Sequence, residues 1–145
     1  PLAAAVAAAC AFANAAEGEL LFDDVYAIAQ NPDVYPTSPW WHLWAHDFWG
    51  APIRSELSHK SYRPLTTLSF RLQLLWSGGK LGAGTERALH GANVVLHVAN
   101  SALLAHICWA LLGLAPGPSG AAGLLFAVHP VHVEAVAGVV GRAEV

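Results

Sequence analysis

Two adjacent carboxylates, Asp23 and Asp24, stand in Phe22-Asp23-Asp24-Val25-Tyr26, just after a weakly apolar run from Leu2 to Ala16. Carboxylates are costly in lipid and sit at membrane depth mainly where they line a polar site. If the run enters a membrane, the pair lies at its aqueous mouth. The competing reading is a solvated helix start, where the helix dipole favours Asp. A second constellation is His129, His132 and Glu134. Its His-x-x-His-x-Glu order differs from the helical zinc motif, whose histidines are four apart, so no metal is expected there. Glu134 follows a long apolar stretch, either deep in a span or in a re-entrant turn opened by Pro130. A carboxylate at that depth is a functional candidate.

The elements that must position these groups follow from composition. Of 145 residues, 55% are hydrophobic and 12% charged, about half the charge of an ordinary soluble domain. The mean hydropathy is +0.44. These values place the chain among membrane proteins. A net charge of -3 favours no nucleic-acid partner. Cys10 and Cys108 both lie in apolar runs and read as packing thiols. With no Met and an opening Pro1, the sequence reads as a piece of a longer chain.

Five segments are expected. Residues 1–16 form a truncated first span or the core of a signal peptide ending at Ala13-Asn14-Ala15. Residues 17–87 hold six of the seven basic and eight of the ten acidic residues and form an extramembrane loop. Within it, Ser38 to Trp49 predicts an amphipathic helix with Trp41, Trp44, Ala45 and Phe48 on one face. Four Trp in ten residues suit headgroup depth. Tyr62 to Trp76 predicts a second interfacial helix, with Leu65, Leu68, Leu72 and Leu75 as its stripe. Residues 88–114 form a second span, 115–119 a short cytoplasmic turn, and 120–145 a truncated third span. His90, Asn93, His97 and Asn100 make one polar stripe on the second span, facing protein or a wet cleft. The loop's basic residues argue for a cytoplasmic location, but long loops translocate largely regardless of charge.

Ser58-His59-Lys60-Ser61-Tyr62-Arg63-Pro64-Leu65, preceded by His46-Asp47-Phe48-Trp49-Gly50, resembles the first lumenal loop of the transmembrane and tetratricopeptide-repeat containing O-mannosyltransferases. Phe126 to Ala143, with Phe126-Ala127-Val128-His129-Pro130-Val131-His132 at its head, resembles the same family. With Asp23-Asp24 the likeness covers most of the chain from about residue 20. It departs at Val133, usually Thr, at the Gly-rich Ser77 to Thr85, and at Glu144, usually Asp.

The resemblance implies an all-α, polytopic, GT-C-like membrane protein of the endoplasmic reticulum, with further spans and tetratricopeptide repeats outside this stretch. The implied reaction moves mannose from dolichyl-phosphate mannose to Ser or Thr hydroxyls of lumenal or secreted proteins, cadherin-like domains among them, with inversion and without a cofactor. It places the general base on Asp23, with Asp24 orienting it or capping the next helix. Adjacent carboxylates raise one another's proton affinity, which suits a base near neutral pH. The departing phosphate needs cations or donors; Lys60, Arg63 and His129 are the candidates, with His132 and Glu134 lining the site. Two rivals stand beside this reading: a non-catalytic membrane scaffold of the same fold, and a metal or proton transporter using the polar stripe.

Overall fold

The computed structural model describes all residues 1–145 as helices and turns, with no β-strand. The α-helices are α1 (Leu2–Phe12), α2 (His42–Ala45), α3 (Pro64–Trp76), α4 (Ala83–Ala110), α5 (Pro116–Val128) and α6 (His132–Ala137). The chain divides into two packed units, Pro1–Gly18 with His90–Val145, and Glu19–Leu89. α4 is the one helix long and apolar enough to cross a bilayer. Its 28 residues measure about 42 Å, against roughly 30 Å of hydrocarbon. It starts at Ala83 rather than Ala88, with Glu86 in the first turn, where a carboxylate suits the dipole.

In the first unit α1, α4 and α5 meet through small side chains. α1 buries Ala4, Ala8 and Phe12, and α5 buries Ser119, Gly123 and Ala127, both at four-residue spacing. Such stripes let backbones approach closely. Gly123 is the tightest point: a Cβ there would lie 2.6 Å from Ala105 Cβ and 3.0 Å from Ala4 Cβ. Gly123→Ala is therefore expected to cost about 1–3 kcal/mol by overpacking. Gly120→Ala, on the same helix but in open space, should be neutral or stabilising. Thermal unfolding of the two full-length variants checks the contrast.

The segment 120–145 is not one continuous helix. α5 ends at Val128 after 13 residues, about 20 Å and too short to span. Pro130 lacks an N–H and disfavours helical geometry in the residue before it. His129 is accordingly extended (φ -69°, ψ 128°). α6 follows and stops at Gly138, and a 3₁₀ turn occupies Val140–Ala143. Each break releases backbone carbonyls that need donors. The polar stripe of α4 supplies them. His97 Nε2–H donates to Ala127 O at 3.0 Å and His90 Nδ1–H to Ala137 O at 2.8 Å. Asn93 Nδ2 donates to Gly138 O at 2.8 Å. Arg142 turns back to donate from Nε to Asn93 Oδ1 at 2.8 Å. The stripe faces protein, and its observed work is interhelical hydrogen bonding.

The second unit is mostly turns, held by a few buried polar side chains. Asn31 is fully buried; its Oδ1 accepts the Asp33 N–H and its Nδ2 donates to Phe48 O. Gly50 (φ +84°) passes so close that a Cβ there would stand 2.5 Å from Asn31 Oδ1. α3 forms over the residues expected, and its leucine stripe is turned outward. Thr67, Phe70, Arg71 and Leu74 are buried, while Leu65, Leu72 and Leu75 are exposed. The reason is the neighbouring loop's need for donors: Arg71 reaches the carbonyls of Asp33, Pro36 and Ser38. The Ser38–Trp49 helix is corrected to the four residues of α2. Phe48 lies in the core, while Trp41 and Trp44 are exposed, so the four expected residues do not share a face. Ser38 caps nothing, because its hydroxyl donates to Asp33 Oδ1.

Candidate active site

Three stretches singled out by sequence converge on one cleft of the second unit. Its volume is about 550 Å³, and Asp23, Tyr26, Gln30, Trp49 and His59 line it. Asp23 and Tyr26 come from the double-carboxylate stretch, Trp49 from His46–Gly50 and His59 from Ser58–Leu65. A carboxylate, an amide and an imidazole supply polar groups, and the Tyr26 and Trp49 rings supply flat apolar faces. Few polar groups among aromatic walls is a usual binding-site composition.

Local backbone geometry separates the two carboxylates. Phe22 adopts φ +48°, a left-handed conformation that is strained in a bulky residue. The following turn places Asp23 in solvent and Asp24 in the interior, 5% exposed. Val25–Ala29 then forms a π-helical turn that Asp24 precedes without a side-chain capping bond. Asp23 is thus the carboxylate accessible to a ligand.

Trp49 and His59 are positioned by Asp47, a buried residue that the sequence reading placed only inside a motif. Its Oδ1 accepts the N–H of Trp49 and of Ala51, both at 3.0 Å. Its Oδ2 accepts the Ser58 hydroxyl at 2.6 Å and the His59 N–H at 3.1 Å. Burial pushes the Asp47 carboxyl up. The Ser58 hydroxyl and the N–H groups of Ala51, Trp49 and His59 outweigh that and hold its pKa below 3.8. The two motif halves are joined again where Phe48 N–H donates to Ser61 O at 2.7 Å. The Trp49 and His59 rings lie 5.9 Å apart.

The other candidates are placed as follows. Lys60 has φ +61°, and its ammonium donates to the carbonyls of Ile53 and Ser55, so it braces its own loop. Arg63 is half-buried with its guanidinium 5.2 Å from the Phe48 ring centre. Neither lines the cleft. His129, His132 and Glu134 lie in the first unit around the α5–α6 break. His129 Nδ1 accepts the Val131 N–H, the His129 and His132 rings are 6.3 Å apart, and Glu134 is exposed in the first turn of α6. His59 is the cleft donor that sequence reasoning passed over; its signal was its place beside Lys60 in a quoted motif.

Comparison with known proteins gives a consistent result. Protein O-mannosyl-transferase TMTC4 of Homo sapiens is 46% identical over 151 residues, covering 96% of this chain and 20% of that protein. Protein O-mannosyl-transferase TMTC3 of Mus musculus is 48% identical, covering 96% of this chain and 14% of its own length. Protein O-mannosyl-transferase tmtc2 of Xenopus laevis is 45% identical, with 92% and 15% covered. The chain therefore spans a fifth or less of these curated relatives. No protein-family model matches it, and no solved structure does.

Proposed function

We propose, on the premise that this chain is by sequence a segment of the TMTC protein O-mannosyl-transferase family, that it carries the catalytic loop of such an enzyme. The observation that supports this most directly is the cleft, where Asp23 meets Trp49 and His59 from two separate motifs. The donor is dolichyl-phosphate mannose and the acceptor a Ser or Thr hydroxyl of a lumenal or secreted domain. The hydroxyl oxygen attacks the anomeric carbon from the face opposite the phosphate. The carbon–oxygen bond to phosphate breaks, dolichyl phosphate leaves with the bonding pair, and configuration inverts. Asp23 takes the hydroxyl proton. This requires it to come within about 2.6–3.2 Å of that oxygen. The phosphate is already a good leaving group, so no strong acid is needed. Trp49 and Tyr26 offer faces for the sugar, and His59 offers a donor toward the phosphate. Arg63 and Lys60 lie on the same motif and serve as secondary candidates for contacting the lipid headgroup; His129, His132 and Glu134 belong to the other unit and are candidates there.

The exposed Trp40, Trp41 and Trp44, with Leu65, Leu72 and Leu75 of α3, are apolar surface that suits the headgroup region of the endoplasmic-reticulum membrane. The loop is then lumenal, α4 spans, and the turn before α5 is cytoplasmic. A glycosylation acceptor engineered near Ser55 should be modified in microsomes, and one at 116–119 should not. The opposite pattern contradicts the topology. The function itself is tested by reconstituting the full-length protein with dolichyl-phosphate mannose and a Ser/Thr-bearing acceptor domain. Mannosyl transfer is expected. A folded protein inert toward several acceptors would instead be a scaffold.

A further inference from the structure

The second unit holds another cluster, independent of the cleft and of the transferase reading. Asp33, His42 and His46 place one ligand atom each within 4.8 Å of one another. His46 Nδ1 is 2.7 Å from Asp33 Oδ2, and His42 Nδ1 is 3.5 Å from Asp33 Oδ1. The two imidazole rings lie 4.3 Å apart, centre to centre. We propose that Asp33, His42 and His46 bind a divalent transition metal of the zinc class, with a fourth position open to water or ligand.

Each feature a metal site requires is on these residues. The histidines are four apart, one opening α2 and the other just past its end, and the turn between them is closed by the His46 N–H on His42 O at 2.8 Å. Two imidazoles and one carboxylate form a borderline donor set that suits zinc better than calcium or magnesium. Asp33 is 1% exposed and fixed from several sides. Its N–H donates to Asn31 Oδ1, its carbonyl accepts from Arg71, and Ser38 Oγ donates to its Oδ1 at 3.1 Å. Ser38 Oγ also lies 3.3 Å from His42 Nδ1, the ring nitrogen that faces Asp33. Access is provided on the His side. The His42 side chain is 34% exposed, and His46 lines a cleft of about 440 Å³ with Trp44, Pro52 and Arg54. A plain hydrogen-bonded Asp–His pair would explain the 2.7 Å contact alone. It does not explain a second imidazole converging on the same carboxylate.

The test uses the purified full-length protein, stripped with chelator and titrated with Co²⁺, then back-titrated with Zn²⁺. One Co²⁺ per chain with tetrahedral visible absorption, displaced by Zn²⁺, is expected. His42→Ala should weaken binding by at least the roughly 10–100-fold that even an outer-shell partner is worth. His42→Asn, which keeps a hydrogen-bonding group for Ser38, should do the same and covers the case in which the Ala variant fails to fold. His106→Ala, an exposed histidine of α4 outside the cluster, should bind as wild type. Zn²⁺ should raise the unfolding temperature of wild type and His106→Ala but of neither His42 variant. Absence of bound Co²⁺ in wild type, or equal binding in folded His42→Asn, overturns the proposal.

Discussion

Asp47→Ala is expected to unpin residues 48–61 and lose roughly 3–5 kcal/mol of local stability, because it leaves one buried and three part-buried donors without an acceptor. Those donors are the N–H groups of Trp49, Ala51 and His59 and the hydroxyl of Ser58. Asp47→Asn keeps the shape but turns an NH₂ toward donors on one side. Ser58 can reverse its role and the backbone N–H groups cannot, so this variant should cost about 1–3 kcal/mol. Hydrogen exchange of amides 48–61 in the full-length protein reads both losses as opening free energies. Protection unchanged in Asp47→Ala would remove Asp47 from its positioning role.

The same carboxylate predicts a pH dependence. Its folded-state pKa is depressed below 3.8. Its stabilising contribution is therefore whole above the unfolded value of about 3.9 and is lost as pH falls through the lowered folded value. Protection of the Trp49, Ala51 and His59 amides, corrected for intrinsic exchange, should hold down to about pH 4 and fall below it. In Asp47→Asn that step should vanish.

Much of this was legible in the chain, for identifiable reasons. The polar stripe of α4 was visible as a spacing of three, four and three, and it packs as one face because helical periodicity fixes which residues align. Its partners were not visible, because they are backbone carbonyls released where Pro130 and Gly138 interrupt the next segment. The leucine stripe of α3 was also correct as a pattern. What the pattern did not show is how the opposite face is covered, where a turn-rich neighbour needs donors and Arg71 provides them. The Trp-rich segment read as a helix because Trp41, Trp44 and Phe48 have helical spacing. Hydrogen bonds between Asp47 and distant donors override that local pattern after four residues. Asp33 illustrates the same limit. The His42–His46 spacing is in the sequence, but only the fold brings Asp33 to it.

The central claim is that Asp23 is the base that takes the acceptor's proton, and Asp23→Asn tests it most directly. The substitution keeps size and removes the basic oxygen at an exposed position, so folding should be unaffected. Asp24 is buried beside it, and Asp24→Asn should act on stability more than on transfer. The measurement is mannosyl transfer from dolichyl-phosphate mannose to a Ser/Thr-bearing acceptor by full-length wild type and Asp23→Asn, matched for folding and donor binding. The account predicts a fall in rate of about 10²–10⁴-fold at unchanged donor affinity, the usual worth of general-base catalysis. Transfer at the wild-type rate by Asp23→Asn would contradict it.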